Sequence, residues 1–509
     1  MKNPLADFEY LRDRKADVAM SSEQFRALGH GLVDRVAELL ESLPSRKVTP
    51  GESPEQVREA LDPRRLLPEN GTPAGEILDR TASLLFEHSL YNGHPRFWGY
   101  ITAGPTPIGI LGELLAAGVN PNVGAWTLSP VATEIENQTV QWIAQLVGFP
   151  NPCGGLLVSG GNMANMVGVW TARAAAAGWD VRKQGLTADD AWRLRIYAST
   201  ETHTWLQKTA DLLGFGSDAI NWIEVDTRRR MRPDILRTRI DAEREQGLTP
   251  WLVVGTAGTV GVGAIDPLDE LSALCKEEGL WFHVDGAYGG FAAALPELAD
   301  RYAGFTSADS VALDPHKWLY APLEAGCTLV RNKEALRNAF SYHATYYHFD
   351  EEATNYFDSG PQNSRGFRAL KVWLALQQAG RSGYQRMIRD DINLAKALYR
   401  ILEQSDDIEP VTHNLSITTF RYVPPDLHGR RHEPEVLQYL NELNQKLRDE
   451  LELDGSAFVS NAVIDKVFVL RLCVVNFRTT LSDIEALPEI VRRLGRKVDK
   501  AMRPDLVKS

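Results

Sequence analysis

Residues that could carry out chemistry stand at the ends of short apolar runs in the middle of the sequence. Lys317 follows the run Val311–Leu313 in the stretch DPHKW, and Asp285 follows the run WFHV. His203 comes after the run RIYAS, and the pair Gly160–Gly161 comes after the run GLLV. A partly desolvated lysine amine is a nucleophile for a carbonyl group, and glycine amides at a helix start bind anions. A carboxylate can hold a proton on a ring nitrogen, and an imidazole can stack on a flat ring.

Each of these residues also has an ordinary structural interpretation when it is considered alone. The glycine pair can be a simple turn, Asp285 a helix cap and Lys317 a surface residue. The pair lacks the GK[ST] sequence of a P-loop and the third glycine of a dinucleotide-binding fingerprint. Together, however, the residues match the needs of pyridoxal 5′-phosphate, which has a phosphate, a pyridine ring and an aldehyde. We therefore predict that Lys317 forms a Schiff base with this cofactor and that the ring lies over Ala287.

The apolar runs predict the strands that must position these residues. The runs GLLV, RIYAS, WLVV, WFHV, SVAL and CTLV alternate with helical segments between about residue 150 and residue 330. Strands that alternate with helices predict an α/β fold with a mainly parallel sheet flanked by helices. Ligands of such sheets bind beyond the carboxyl ends of the strands, so the polar residues after the runs should converge at one edge.

The flanking regions predict helices before the sheet and a mixed domain after it. Residues 21–43 have the apolar spacing of an amphipathic helix, with Ser21 and Gln24 at capping-box spacing. After the helical pattern SRGFRALKVWLALQQAG, the strand patterns LSITTFRYV and KVFVLRLCVV alternate with helices. We predict an N-terminal helical segment at residues 1–90, a large cofactor-binding domain at 91–385 and a small C-terminal α+β domain at 386–509.

Composition argues against several classes of function. The 67 acidic residues outnumber the 55 basic ones, and the net charge of −12 argues against nucleic acid or an anionic membrane as a partner. The four cysteines form no CxxC pair, which argues against a disulfide scaffold or a zinc site. The N-terminus has no apolar signal segment, and the most apolar stretch, residues 166–179, is interrupted by Arg173. We expect a cytoplasmic protein without a metal ion, a nucleic-acid partner or a membrane partner.

The order of the motifs is specific to one family. The series SGGN, TETH, GTAGT, HVDGAYGG and DPHKW resembles the group II pyridoxal-phosphate-dependent amino-acid decarboxylases, which act on aromatic amino acids, tyrosine, histidine or glutamate. Further similarity in HPRFWGY, RGFRALKVW and LRLCVVNFRTT extends the resemblance over roughly residues 20 to 500. It implies the type I, aspartate aminotransferase-like fold of pyridoxal-phosphate enzymes. It also implies a homodimer with active sites at the interface, in which the N-terminal helices lie over the partner subunit.

The resemblance also implies roles for individual residues. Lys317 would bind the cofactor aldehyde, Asp285 would pair with the pyridine nitrogen, and His203 would stack on the ring. The remaining cofactor contacts would come from other strand ends, with Gly160, Gly161 and Asn162 at the phosphate and Thr256 and His316 along the cofactor.

A tyrosine that returns a proton to the substrate is a further feature of the aromatic decarboxylases in this family. It lies on a mobile loop, nine residues before the arginine that precedes the long helix. Counting back from Arg365 places it at Tyr356. Three other tyrosines stand close enough in sequence to compete for the role: Tyr342, Tyr346 and Tyr347.

Three departures from the family pattern leave the substrate open. Gly124 stands where aromatic-specific members tend to place a bulky side chain on the partner's side of the pocket. Ser364 stands where related plant enzymes have serine for phenolic and glycine for indolic substrates. The residues APLEAG, which follow the cofactor lysine motif, replace a more usual polar and acidic run that contains a cysteine.

The predicted function is decarboxylation of an L-amino acid to carbon dioxide and an amine. We predict an aromatic substrate, tyrosine-like before tryptophan-like. Aminotransfer is an alternative, because Arg478 could clamp an α-carboxylate with two hydrogen bonds. Oxidation to an aldehyde is another, although aldehyde-forming relatives commonly carry phenylalanine at the position of Tyr356, with Phe357 next to it here. A non-catalytic binding protein on the same fold is a third, since fold does not fix function.

Overall fold

The computed structural model describes residues 5–342 and 353–504, which form two β-sheets surrounded by helices. The strands are β1 (Phe97–Trp98), β2 (Gly154–Val158), β3 (Leu194–Ser199), β4 (Ile220–Ile223), β5 (Thr249–Thr256), β6 (Trp281–Asp285), β7 (Ser310–Leu313), β8 (Gly326–Val330), β9 (Ile408–Asn414), β10 (Ile417–Tyr422), β11 (Phe458–Ile464) and β12 (Val467–Cys473). The helices are α1 (Ser22–Ser42), α2 (Pro54–Leu61), α3 (Ala74–Glu87), α4 (Pro107–Val119), α5 (Pro130–Val147), α6 (Gly161–Ala176), α7 (Val181–Gln184), α8 (Ala188–Arg193), α9 (Trp205–Leu212), α10 (Pro233–Glu245), α11 (Leu268–Glu278), α12 (Pro315–Trp318), α13 (Lys333–Phe340), α14 (Ala369–Leu402), α15 (Pro434–Asp454) and α16 (Leu481–Met502).

The larger sheet has the strand order β2-β8-β7-β6-β5-β3-β4. Within the described residues, β8 runs opposite to the other six strands, which are parallel to one another, so the prediction of a mainly parallel sheet is confirmed. Both faces are covered, because successive strand residues point to opposite sides and enter separate apolar cores. In β2, Leu157 packs in the core that contains α5 and α11, whereas Leu156 and Val158 pack with α6.

A second, five-stranded sheet occupies the C-terminal part of the chain, with the order β1-β11-β12-β10-β9. Its core contains buried residues of α15 and α16. Strand β1 is paired in parallel with β11, so a segment near residue 97 belongs to this sheet although it precedes the larger sheet in sequence. Helix α14 crosses the domain boundary that we predicted near residue 385, and its backbone is non-helical at Gly380, with φ 62°.

The N-terminal helix α1 begins as the sequence predicted. The Ser21 side chain accepts a hydrogen bond from the Gln24 amide, and the Gln24 side chain accepts one from the Ser21 amide. Arg35 of α1 forms an ion pair with Asp79 of α3. The apolar face of α1 is not buried within the chain, since Phe25 is 63% exposed. Among the described helices, none is both long and apolar enough to cross a membrane.

Candidate active site

A cavity of about 640 Å³ lies at the carboxyl edge of the larger sheet. Strands β2, β3, β5, β6 and β7 all end there, and the residues that follow them form much of its wall. Nine residues for which we predicted cofactor contacts line it: Gly160, Gly161, Asn162, His203, Thr256, Asp285, Ala287, His316 and Lys317. The convergence follows from the parallel strand arrangement, which brings all these strand ends to one side.

Asp285, the last residue of β6, is buried and held in one orientation by three donors. Its Oδ2 accepts a hydrogen bond of 2.6 Å from Trp205 Nε1. Its Oδ1 accepts hydrogen bonds from Asn165 Nδ2 at 3.3 Å and from the Ala287 amide at 3.1 Å. Such fixed donors preorganise a carboxylate for a cationic partner.

A buried chain of hydrogen bonds supports Asp285 from behind. His283 Nε2 lies 2.8 Å from Asn165 Oδ1, and His283 Nδ1 lies 2.8 Å from Ser310 Oγ, which also accepts from Trp281 Nε1. Burial lowers the pKa of His283 to about 4, so the ring is neutral and has one donor and one acceptor. These hydrogen bonds are all paired donor to acceptor when His283 Nε2 donates to Asn165 and His283 Nδ1 accepts from Ser310. This arrangement aims the Asn165 amide at Asp285.

Lys317 lies on the short helix α12, immediately after β7. Its Nζ is 2.9 Å from Oδ2 of Asp314, and its side chain is 20% exposed. We expected partial desolvation to activate this amine; the structure adds a buried carboxylate that holds it. The neighbouring His316 faces the same carboxylate at 3.8 Å, and burial lowers the pKa of His316.

The start of α6 provides an anion-binding cradle. Gly160 precedes the helix with φ 98°, a left-handed conformation that favours glycine, and no side chain caps the helix start. The first-turn amides are therefore open to an anion, which the helix dipole also favours. A Cβ atom at Gly161 would lie 2.6 Å from Asp314 Oδ2 and 3.2 Å from Ala287 Cβ, so the cradle admits only glycine there.

His203 lies in the loop between β3 and α9. Its Nδ1 accepts a hydrogen bond from the Trp205 amide at 3.2 Å, which places the proton of the neutral ring on Nε2. Desolvation lowers the pKa of His203; the charge of Asp285 opposes this shift, and the charge of Lys317 adds to it. The neutral ring can stack on a flat ligand and offers an N–H at the cavity.

Residues 54–423 match the family described as the pyridoxal-dependent decarboxylase conserved domain. The chain belongs to this decarboxylase family. It is 32% identical over 487 residues to the aromatic-L-amino-acid decarboxylase of Bacillus atrophaeus, which covers 95% of this chain and 98% of that protein.

Solved structures of decarboxylases share the fold. The crystal structure of mouse CSAD superposes with a TM-score of 0.88 at 28% identity, covering 94% of this chain and 99% of that one. The Oryza sativa TDC structure with PLP and tryptamine has a TM-score of 0.86 at 26% identity, covering 95% and 99%. The predicted type I fold is confirmed, and pyridoxal 5′-phosphate is the cofactor of this decarboxylase.

The polar groups of the cavity fit that cofactor. Oγ1 of Thr256 and Oδ1 of Asp314 are buried and have no hydrogen-bond partner among the described residues. Buried polar atoms are costly unless they are paired, so a ligand with polar groups suits this wall. The cradle at Gly160 suits a phosphate, and Asp285 suits a protonated pyridine nitrogen.

Tyr356 does not line the cavity. It lies in a short 3₁₀ turn, Tyr356–Asp358, and is only 2% exposed. Its hydroxyl donates a hydrogen bond of 2.8 Å to Asn137, and the Arg365 guanidinium lies 4.5 Å from its ring centroid. A single chain therefore does not bring Tyr356 to Lys317, and its role as proton donor stays a prediction. Of the competing tyrosines, Tyr342 is exposed beside Arg182, while Tyr346 and Tyr347 lie outside the described residues.

The structure gives a packing reason for the glycine at position 124. A Cβ there would lie 2.1 Å from the carbonyl oxygen of Asn363, so no side chain fits in this backbone arrangement. Gly124 therefore marks a close approach of two backbone segments, and its connection to substrate preference stays a prediction. Ser364 is exposed and does not line the cavity.

The arginine at the cavity is Arg471 of β12 rather than Arg478. Arg471 is buried and donates hydrogen bonds to the Tyr100 carbonyl at 3.0 Å and to Ser460 Oγ at 2.5 Å. Arg478 packs on Phe477, with the guanidinium 4.4 Å from the ring centroid, and does not line the cavity. The carboxylate clamp predicted at Arg478 is therefore misplaced, which removes the sequence argument for aminotransfer.

Several residues of the site were not predicted: Asn165, Trp205, His283, Asp314 and Arg471. Some carried a sequence signal. Asp314 precedes Lys317 by three residues, the spacing of one helical turn. His283 precedes Asp285 by two residues on one strand, the spacing that puts two side chains on the same face. Arg471 had no such signal, because it reaches the cavity from the other sheet.

Proposed function

We propose that this protein decarboxylates an aromatic L-amino acid to carbon dioxide and the amine, with a tyrosine-like substrate favoured over a tryptophan-like one. The observation that supports this proposal is the composition of the cavity wall outside the cofactor-binding residues. It contains six side chains with large apolar or aromatic groups, Tyr100, Ile101, Trp205, Val260, Tyr288 and Leu323. Apart from Asp314, which holds Lys317, it contains two charged ones, Arg471 and Glu324.

These two charges favour an aromatic over an acidic substrate. An aromatic amino acid brings one carboxylate, which a single arginine can bind, and a ring that the apolar wall can cover. An acidic amino acid brings a second carboxylate, which would have to compete with Glu324 for Arg368. Arg368 already pairs with Glu324, at 2.9 Å, and so is not free for a substrate anion. Glu324 can also accept a hydrogen bond from a phenol hydroxyl, which supports a tyrosine-like substrate.

The residues of the cavity have different roles in the proposed reaction. When bound, pyridoxal 5′-phosphate draws electrons from the bond to the α-carboxylate. Asp285 would keep a proton on the ring nitrogen, and Lys317 would supply the amine that holds the cofactor. His203 positions the ring, and its Nε2 proton can be delivered to the α-carbon. Tyr356 of a partner subunit is the other candidate for that proton transfer, and it would have to leave its buried contact with Asn137 to act.

A homodimer accounts for features that a single chain leaves incomplete. Helix α4 exposes a row of apolar residues, Leu111, Leu114, Leu115 and Val119, and α1 exposes Phe25. A row of exposed apolar side chains favours burial against another protein surface. We also propose a cytoplasmic location, which the four free, buried cysteines support.

The test is a panel of the twenty L-amino acids with the enzyme saturated in pyridoxal 5′-phosphate. Carbon dioxide and amine should form fastest from an aromatic amino acid. A keto acid as product would indicate aminotransfer, and an aldehyde with peroxide would indicate oxidation. Glu324→Gln should raise the kcat/KM for acidic amino acids relative to aromatic ones, while Glu334→Gln, at an exposed glutamate outside the cavity, should not. Faster turnover of acidic substrates by the unmodified enzyme would refute the aromatic assignment.

A further inference from the structure

A second cavity, of about 870 Å³, lies between the larger sheet and the C-terminal sheet. One side is the loop Thr227–Arg230, which follows β4, together with Arg301. The other side is formed by α14, the end of β9 and the turn after β11. Among the described residues, this cavity shares no lining residue with the active-site cavity.

The cavity wall is strongly cationic. Its six arginine and lysine side chains are Arg228, Arg229, Arg230, Arg301, Lys396 and Arg400, and its two carboxylates are Glu403 and Asp465. This charge contrasts with the chain as a whole, which carries a net charge of −12. A concave wall of one charge sign concentrates its potential and attracts ions of the opposite sign.

Most of these cations have no ion-pair partner among the residues that the structure describes. Arg229 pairs with Asp465 at 2.5 Å, and Arg230 pairs with Asp226 at 2.7 Å. The other four, Arg228, Arg301, Lys396 and Arg400, form no ion pair with any residue that the structure describes. Like charges that face one cavity repel each other, and a shared anion between them removes that repulsion.

We propose that this cavity binds a small polyanion that carries at least two phosphate groups. The unpaired cations come from three separate elements, a loop, a 3₁₀ segment and two turns of α14, and this spread suits a ligand with more than one anionic group. Arginine favours such a ligand because its planar guanidinium forms paired hydrogen bonds with phosphate oxygens. The back wall, which includes Tyr399 and Ile265, can cover an uncharged part of the ligand.

The site also touches a segment that leads to the active site. Arg229 lies 3.5 Å from Glu201, which precedes His203 by two residues. A bound polyanion competes with Glu201 for Arg229. Asn414, which lines the second cavity, donates a hydrogen bond of 3.2 Å to the carbonyl of Val262, in the loop that carries Val260. Binding should therefore change kcat/KM for the amino acid.

The experiment is isothermal titration of the holoenzyme, saturated with pyridoxal 5′-phosphate, with inorganic tripolyphosphate at about 0.1 M ionic strength. We expect one tripolyphosphate per chain and at least about tenfold weaker binding of orthophosphate. The variant Lys396→Glu/Arg400→Glu should lose at least about tenfold in tripolyphosphate affinity, because it reverses two charges of the wall. Lys446→Glu/Lys500→Glu is the control, since it reverses two exposed cations on α15 and α16.

Cofactor content, unfolding temperature and basal decarboxylation of both variants serve to show that the fold and the active site are intact. Equal tripolyphosphate affinity in the two double variants, or no binding to the unmodified enzyme, would refute the proposed binding site. Binding that persists in Lys396→Glu/Arg400→Glu, and that is stronger in enzyme stripped of pyridoxal 5′-phosphate than in the saturated holoenzyme, would assign the anion to the cofactor cradle instead. Binding of tripolyphosphate with an unchanged kcat/KM for the amino acid would refute the proposed effect on the active site through Arg229.

Discussion

Replacement of Asp285 by asparagine tests the central electrostatic contact of the site. The side chain keeps its shape, but it loses its negative charge and gains an NH₂ group. Asp285 accepts hydrogen bonds from Trp205 on one oxygen and from Asn165 and Ala287 on the other. Whichever way the asparagine amide is turned, its NH₂ faces a donor. The substitution therefore disturbs both the charge at the cofactor nitrogen and the buried hydrogen bonds.

The two effects have different expected sizes. Loss of one preorganised charge interaction in an active site costs about 2.7–4 kcal/mol in the activation free energy, or roughly 10²–10³ in kcat. A buried donor without an acceptor costs about 1–3 kcal/mol of the free energy of unfolding. We therefore expect Asp285→Asn to lower kcat at least about a hundredfold and to lower the stability by a few kcal/mol at most.

The matched variant is Trp205→Phe, which removes the 2.6 Å donor but leaves the Asp285 charge in place. It should lower the stability by a similar amount, about 1–3 kcal/mol, and retain most of kcat. The assay is steady-state amine formation at saturating cofactor, with bound pyridoxal 5′-phosphate measured by absorbance and the free energy of unfolding measured in urea. A folded, cofactor-loaded Asp285→Asn enzyme with kcat within about tenfold of the unmodified enzyme would refute the role of the ring-nitrogen proton.

Three further predictions concern the lysine, the loop tyrosine and the buried histidine. Lys317→Ala should abolish turnover while the chain still folds, and borohydride reduction of the unmodified enzyme should fix the cofactor to Lys317; a label on another lysine would contradict the assignment. Tyr356→Phe should leave cofactor binding intact but yield less amine, with aldehyde, ammonia and peroxide as new products; a normal amine yield without peroxide would move the proton donor to His203 or to another tyrosine. Because burial lowers the pKa of His283 to about 4 from its usual 6.5, the unfolded chain binds a proton below pH 6.5 that the folded chain excludes. The free energy of unfolding should thus fall as the pH drops from about 6.5 toward 4, and urea titrations should show a smaller fall in His283→Gln.

Local patterns were sufficient to predict six of the seven strands of the larger sheet and the residues that follow them, whereas β4 was not predicted. Each run from GLLV to SVAL forms a strand, and each leads to a residue that lines the cavity. Lys317, Asp285 and Gly160 could be predicted because each stands at or just after the end of a strand, and the apolar run that forms the strand is adjacent to it in sequence. Parallel strands then place such ends on one edge, whatever the order of the strands. The capping box at Ser21 is equally local.

The tertiary structure alone decided how these residues are supported and which distant residues join them. The hydrogen bond from Asn165 to Asp285 joins positions 120 residues apart, and it depends on how α6 packs against β6. Arg471 enters the cavity from the second sheet, whereas the similarly placed Arg478 turns away toward Phe477. Tyr356, which the spacing identified, is buried against Arg365 because the segment before α14 packs on α5. Periodicity describes only near neighbours along the chain, and contacts between distant segments are set by packing, which no local pattern encodes.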